Sequence, residues 1–445
     1  MEHGLLAAAL AVLGAVLVGW NRLAALVGLV LLLPFDAALK LGPFHVYTLE
    51  AFLAGLTPVL AWQWGRDPAV RKRLFDYLTP FLPFFAVVGL SILAAEDPAA
   101  GFKQWLRWAE FGVVLALARF AVPDRRRFYV LLGVVFFSGA LTSAVGLIQY
   151  FGGQDAGGAM AAMSQVSGVV RASATFGHPN QFAGFLILLL PLSFELFLEN
   201  ERPLWQVFMG LVTLVLGLAL AVTYSRGGWL SAMLAMVLVL AYYIPRNLFR
   251  STLLLAAFVA IIFLLPTSMT NLNARLSSLV EGKTDTAVTG RLGYQRLAVR
   301  MLAKRPWLGY GAGNYGREIA KYTDEVKGDI IYLDKHIHNM YSQIALETGL
   351  VGLAAFLGFL AVMLRRLWRG FRTVSEPRRR AMLVALGASV LAFMCHNNFD
   401  VLIIYGRGVH FALVLSLGPA FAALAEGRVR HGYASDASHA TGAPS

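Results

Sequence analysis

Long apolar stretches recur from end to end of this chain, separated by short basic clusters. Each stretch is about 17 residues or more, enough for a helix to cross the hydrocarbon core of a bilayer. The pattern predicts spans near residues 5–33 (one broken segment or two), 48–64, 78–95, 104–122, 128–150, 180–198, 204–224, 227–244, 251–266, 345–364, 381–398 and 405–425. Short loops rich in Lys and Arg stay cytoplasmic. "RDPAVRKR" (66–73), "DRRR" (124–127), "PRNLFR" (245–250) and "RRLWRGFRTVSEPRRR" (365–380) all fall on one side of this alternation. The connections "AAEDPAAGFK", 151–179 and 266–338 fall on the other. The reading is twelve spans with both termini cytoplasmic. "GWNRLA" (19–24) is its weak point, because a split there gives thirteen spans and an external N-terminus.

Four parts follow: residues 1–266 with most of the spans and an external connection at 151–179, a large external loop at 267–337, spans within 338–425, and a small polar tail at 426–445. A loop of that length without structure of its own would be unusual, so it is expected to contain helices. Within it, Leu292, Leu297, Ala298, Met301 and Leu302 repeat at helical spacing, with Arg296, Arg300 and Lys304 on another face. Pro306 and the glycines after it end that helix. A basic amphipathic helix beside a membrane is expected to lie in the interface, apolar side down. Its Arg row would face anionic headgroups, or an anionic substrate held at that surface.

Composition agrees with the pattern: 58% of residues are hydrophobic and 14% charged, against soluble norms of roughly 45–50% and about 25%. The net charge of +13 is no nucleic-acid signature, since much of it flanks the spans, where it sets topology and meets anionic lipid. Cys395 is the single cysteine, which excludes an intrachain disulfide and a cysteine metal site. The N-terminal stretch has neither a charged leader nor a clear cleavage site, so removal of a signal peptide is not expected.

Several polar motifs sit at the external ends of spans. "GAGNYG" (311–316) matches a dinucleotide fingerprint, but no strand precedes it and no βαβ unit surrounds it. It reads as a glycine-rich turn that permits close backbone approach, with phosphate binding by its N–H groups as the sharper option. In "TYSRGGWL", Arg226 either snorkels to headgroups or clamps a phosphate. In "GHPN", His178 caps or binds, and Asn180 falls in the first turn of a re-entering helix. "CHNNFD" (395–400) reads as a polar helix terminus. In "DKHIHN", zinc would need His336 and His338 with Asp329 or Asp334, yet alternation on an extended segment sends the two rings to opposite faces. A helix starting near Asn339 would disfavour imidazolium at His338 and keep its ring ready to accept a proton. The plainer reading of His338 is a polar collar residue.

The order "YSRGGWL", "TGRLGYQRLAVRMLAKRPWLGYGAGNY", "HNMYSQIALETGLVG" resembles the O-antigen ligase family, with its related polymerases and protein O-oligosaccharyltransferases, over residues 171–355. The resemblance implies an all-α polytopic integral membrane protein of GT-C type, with about twelve transmembrane helices and a large periplasmic loop containing helices. It implies a metal-independent glycosyltransferase in the bacterial inner membrane that needs no cofactor and acts at the periplasmic face. The donor would be a glycan on undecaprenyl pyrophosphate and the acceptor a sugar of lipid A–core. His338, Arg226 and Arg291 match the family's functional residues; Asn339, Arg296, Arg300, Asn180 and Arg171 are the supporting candidates. Catalysis at an activated pyrophosphate needs a base for the acceptor hydroxyl and positive charge for the leaving group. His338 suits the first role, and Arg226 and Arg291 the second. The competing reading from another class is a small-anion transporter, for which Arg107 and Glu110 in "KQWLRWAEFG" speak.

Overall fold

The computed structural model describes residues 2–35, 37–41, 44–153, 170–199, 202–243, 252, 253, 256, 286–322, 337–403 and 408–425. The expected span at 251–266 (three residues apart), His336 and the 426–445 tail lie outside these described residues.

The chain begins with two helices, α1 (Glu2–Trp20) and α2 (Arg22–Leu32). Asn21 separates them and caps the second, its Oδ1 accepting from the Leu23 N–H at 2.8 Å. The two run antiparallel: Gly28 of α2 faces Leu17, and Leu32 packs with Ala7 and Leu10. α1 lies along α3 (Thr48–Arg66) in the same direction, with Gly55 against the Ala11 backbone and Gln63 Nε2 donating to Val18 O at 3.1 Å. At the opposite end His3 Nδ1 accepts from the Lys40 N–H at 2.9 Å. The first turn of α1 therefore stands near the start of α3, while Ala422, toward the end of the last helix among the described residues, packs on Gly370 in the basic 365–380 segment. These two points lie at opposite ends of the helix bundle. The polar Asn-Arg pair makes a helix start, not a flaw within one span.

The chain is otherwise helical among its described residues, with one short antiparallel hairpin of β1 (Ala38–Leu41) and β2 (Phe44–Tyr47) that leads into α3. The basic 66–73 segment, expected as a loop, is also structured. It forms most of α4 (Pro68–Leu78), capped by Asp67 Oδ1 at the Ala69 and Val70 N–H groups and started by Pro68. α4 meets α5 (Leu82–Ser91) at a bend of 71°. There follow α6 (Pro98–Ala121), α7 (Arg125–Phe151), α8 (Pro179–Glu199), α9 (Pro203–Val222) and α10 (Arg226–Tyr243). The remaining helices are α11 (Thr286–Lys304), α12 (Tyr315–Ala320), α13 (Met340–Thr373), α14 (Pro377–His396) and α15 (Gly408–Ala425). Among the described residues, seven helices are long and apolar enough to cross a membrane, or eight if the bent pair is one span.

Lipid gives packed helices little hydrophobic reason to associate, so close contacts must hold them together. Aromatic rings do this where α5, α6 and α13 meet: Phe84 stands 4.7 Å from Trp108 and 5.1 Å from Phe356, edge to face or tilted. Arg107, the charge that spoke for transport, is paired there with Glu50 of α3 at 3.1 Å.

α13 is two helices joined at Gly349, whose φ of 71° and ψ of −177° leave the helical region. The break strands carbonyls and an N–H that an intact helix would pair. The 306–311 segment pairs three of these groups: Tyr310 N donates to Leu346 O at 2.8 Å, Gly311 N to Glu347 O at 3.0 Å, and Leu350 N to Pro306 O at 2.7 Å. Ala312 N donates to Ser91 Oγ, and Asn314 Oδ1 accepts from the Asp97 N–H at 2.7 Å. The "GAGNYG" turn thus does approach closely, but its N–H groups bind this protein instead of a phosphate. α11 follows suit. Its apolar Leu297, Ala298 and Met301 are buried against Tyr310, Ile319, Leu346 and Val401, not laid on lipid. Arg296, Arg300 and Lys304 stay exposed on the other side, as their spacing requires.

A Cβ at residue 349 would collide with the Trp307 backbone at a φ unfavourable for L residues. Gly349→Val is expected to destabilise the protein by about 2–4 kcal/mol, read as a lower thermal midpoint in detergent. Gly358→Ala, in open space on the same helix, is expected to change it by less than about 0.5 kcal/mol.

Candidate active site

Four chain segments converge at the end of the bundle where α8, α10 and α13 begin and α14 ends. The first is the turn after α14. Asp400 there is buried, with Oδ1 accepting from the Val401 N–H at 2.7 Å and Oδ2 from Asn180 Nδ2 at 2.6 Å. Asn397 Oδ1 fixes the same turn through the Leu402 N–H at 3.0 Å.

The second segment carries His338. Asn339 caps α13, as the sequence implied, its Oδ1 accepting from the Ser342 N–H at 3.0 Å. Met340 N donates to Asn397 O at 2.9 Å, which docks the head of α13 on the Asp400 turn. His338 Nδ1 then lies 3.7 Å from Asp400 Oδ1, and its ring stands edge to face with Tyr294 of α11 at 5.9 Å. α11 holds this segment directly: Gln295 Nε2 donates to Ile337 O at 3.2 Å, and Ser342 Oγ to Gln295 Oε1 at 2.6 Å.

The third segment, 170–180, leads into α8. Arg171 Nε donates to Thr223 O at 2.9 Å and its Nη2 to Asn180 Oδ1 at 3.3 Å, so Arg171 orients the amide that holds Asp400. His178 caps α8 by accepting from the Asn180 N–H at 3.2 Å. The fourth is the "SRG" turn. Ser225 Oγ accepts from the Gly228 N–H at 3.3 Å and meets Nε2 of the buried His396 at 3.3 Å. Gly227 packs on Phe399, which brings Arg226, exposed at the first position of α10, beside the Asp400 turn.

Burial alone would raise the Asp400 carboxyl. His338 at its Oδ1, the charge of His178 and the Asn180 amide outweigh that effect and hold it well below its ordinary 3.8. Arg291 and His178 lie within electrostatic range of His396. Among the described residues, the non-glycine positive φ values are those of Ala174 (49°), Tyr224 (52°) and His338 (54°), each in one of these converging segments. Such backbone persists where surrounding structure over-determines it, and it clusters at working sites.

Of the residues picked out in the sequence, Arg171 and Asn180 are hydrogen-bonded in line to Asp400, His338 and Asn339 stand beside them at the head of α13, and Arg226 and Arg291 lie at the edge. Arg296 and Arg300 are turned away from it. Asp400, His396 and Tyr294 were missed. "CHNNFD" is more than a polar terminus, and its signal was the carboxylate two residues after the His-Asn-Asn run. Among the described residues, no group of three or more His, Cys, Asp or Glu side chains is placed to hold a metal ion.

The stretch containing the "SRG" turn, α11 and the head of α13 is also where known proteins are matched. Residues 211–357 match the family model described as O-antigen ligase. The match supports the O-antigen ligase resemblance over that segment. Arg226, Arg291 and His338 fall inside the O-antigen ligase match, while Asp400, Asn180 and Arg171 lie outside it. One solved chain, from work on structural coordination of polymerization and crosslinking by a peptidoglycan synthase complex, is 17% identical, covers 79% of this chain and 98% of its own, and has a TM-score of 0.44. Among curated proteins, none matches this sequence.

A carboxylate held low contributes stability in full above its unfolded value, and that stability is lost as pH falls through the lower folded value. Wild-type protein is therefore expected to lose thermal stability progressively below about pH 4. Asp400→Asn should remove that part of the dependence while lowering stability at pH 7; an unchanged acid limb would contradict the assignment.

Proposed function

We propose that this protein transfers a glycan from undecaprenyl pyrophosphate to the lipid A–core oligosaccharide at the periplasmic face of the bacterial inner membrane. The reading is supported most by one observation: His338, inside the O-antigen ligase match, sits against a buried carboxylate that Asn180 and the Val401 N–H hold in place.

In this mechanism Asp400 faces Nδ1 of His338, favours the tautomer with its proton there, and leaves Nε2 as the basic nitrogen. The 3.7 Å separation is longer than a formed hydrogen bond, and such contacts tighten when substrate docks. Nε2 takes the proton of the acceptor hydroxyl as its oxygen bonds to the anomeric carbon of the donor. The bond from that carbon to the phosphate oxygen breaks, and undecaprenyl pyrophosphate leaves with the electron pair. Direct displacement inverts the anomeric centre. Arg226 and Arg291 take up the charge on the departing pyrophosphate. Asp400 touches no reacting atom in this scheme and acts as a positioning residue. The pyrophosphate is already an activated leaving group, so the chemistry calls for no metal or cofactor.

Polymerases and protein transferases of the same superfamily share this donor chemistry and differ in acceptor. The test is a reconstituted reaction with purified lipid-linked donor and lipid A–core in liposomes. Wild type is expected to yield the glycosylated core; extension of the lipid-linked glycan alone would assign a polymerase instead. His338→Ala is expected to lower turnover by about 10²–10⁴-fold while donor is still retained. Arg226→Lys and Arg291→Lys should each cost about 10²-fold or more. Full activity of His338→Ala would end the mechanism.

A further inference from the structure

α4 is the element that neither the fold nor the proposed reaction has used. Its eleven residues reach about 16 Å, too little to cross a membrane. It also lies 71° away from α5, which leads into the bundle. A helix so inclined to a span runs close to the plane of the membrane surface. The inclination is held by a specific contact. Arg366 of α13 donates from Nη1 to Tyr77 O at 2.9 Å and from Nη2 to Asp76 O at 3.1 Å, satisfying carbonyls of the last turn of α4. Tyr77 is tied to α15 through Ser416 Oγ at 2.8 Å. One side of α4 is thus closed against the protein, with Val70 buried there.

The other side is open and mixed in a particular way. Arg71, Lys72 and Arg73 are all exposed. Phe75, one turn beyond Arg71 on the same stripe, is 60% exposed. The inner end of α13, brought alongside by Arg366, adds exposed Arg365 and Arg369 one turn apart, with exposed Trp368 between them. Two helices therefore present guanidinium and ammonium groups next to bulky apolar side chains at one level of the bundle. Surface cations alone would suit any anion. Cations flanked by an exposed Phe and Trp, on a helix lying along the membrane plane, suit a phosphate that is attached to acyl chains.

We propose that α4 and the inner end of α13 form a seat for the headgroup of an anionic phospholipid. The phosphate lies between the two basic rows, and the acyl chains run past Phe75 and Trp368 into the bilayer. Arg366 is part of the frame and not of the seat, because its donors are already committed to α4.

The test is native mass spectrometry and thermal unfolding of the full chain taken from vesicles of phosphatidylcholine with and without phosphatidylglycerol. Wild type is expected to retain phosphatidylglycerol in preference to phosphatidylcholine and to melt higher when it is present. Arg71→Gln/Lys72→Gln/Arg73→Gln should lose the retained lipid and the upward shift, with affinity falling about fivefold per charge removed. Its melting in phosphatidylcholine alone should match wild type, which shows that the variant folds. Arg365→Gln/Arg369→Gln should act in the same direction, and Arg296→Gln/Arg300→Gln, on α11, should not. Equal lipid retention by wild type and the triple variant would overturn the proposal. So would an equal shift of wild type by soluble glycerol phosphate, or retention that follows the α11 charges.

Discussion

The break at Gly349 is the constraint on which the rest of this architecture depends. Unpaired backbone groups are costly at membrane depth, so a helix can part there only if another segment supplies partners. The 306–311 segment does so from both sides of the break, with Tyr310 and Gly311 donating to it and Pro306 accepting from it. That dependence runs both ways. The break needs the glycine turn, and the turn takes part of its backbone order from the carbonyls that the break offers. Once the turn is fixed, α11 has a buried surface to pack on, and Gln295 can then reach the segment that holds His338.

The candidate site shows the same economy of long-range contacts. His338, Asp400, Asn180 and Arg171 come from three parts of the chain, yet each is held by the next through side-chain contacts of 3.7 Å or less. The left-handed backbone at Ala174, Tyr224 and His338 fits this picture. Each turn is bent to present a side chain or carbonyl to a neighbour, and the neighbour in turn keeps it bent. Replacing one member therefore disturbs geometry at a distance, even where the member itself meets no substrate.

Much of the fold was legible because hydrophobic runs and basic clusters are local signals. They located most helices to within a few residues, and they marked His338 and Asn339 as the head of α13. The reversal at Asn21 was visible only as an ambiguity, since one asparagine reads equally as a cap or a blemish until its partners are known. The resting place of the α11 apolar face was misread for a related reason. Periodicity shows that a face is apolar, but lipid and protein are equivalent solvents for it. Asp400 was invisible as a partner for His338, because nothing near either residue encodes a contact between them. The "GAGNYG" turn and the "ETG" sequence were each noticed, and only the structure shows that they are two halves of one contact.

The order of these elements along the chain sets when the site can exist. His338 enters the membrane at the head of α13, well before the helical hairpin of α14 and α15 that carries Asp400 between its arms. A nascent chain ending after α13 would hold the histidine and the SRG arginine without the carboxylate that orders them. The convergence of these segments at one end of the bundle therefore requires the final hairpin, because only its turn brings a buried carboxylate to the head of α13.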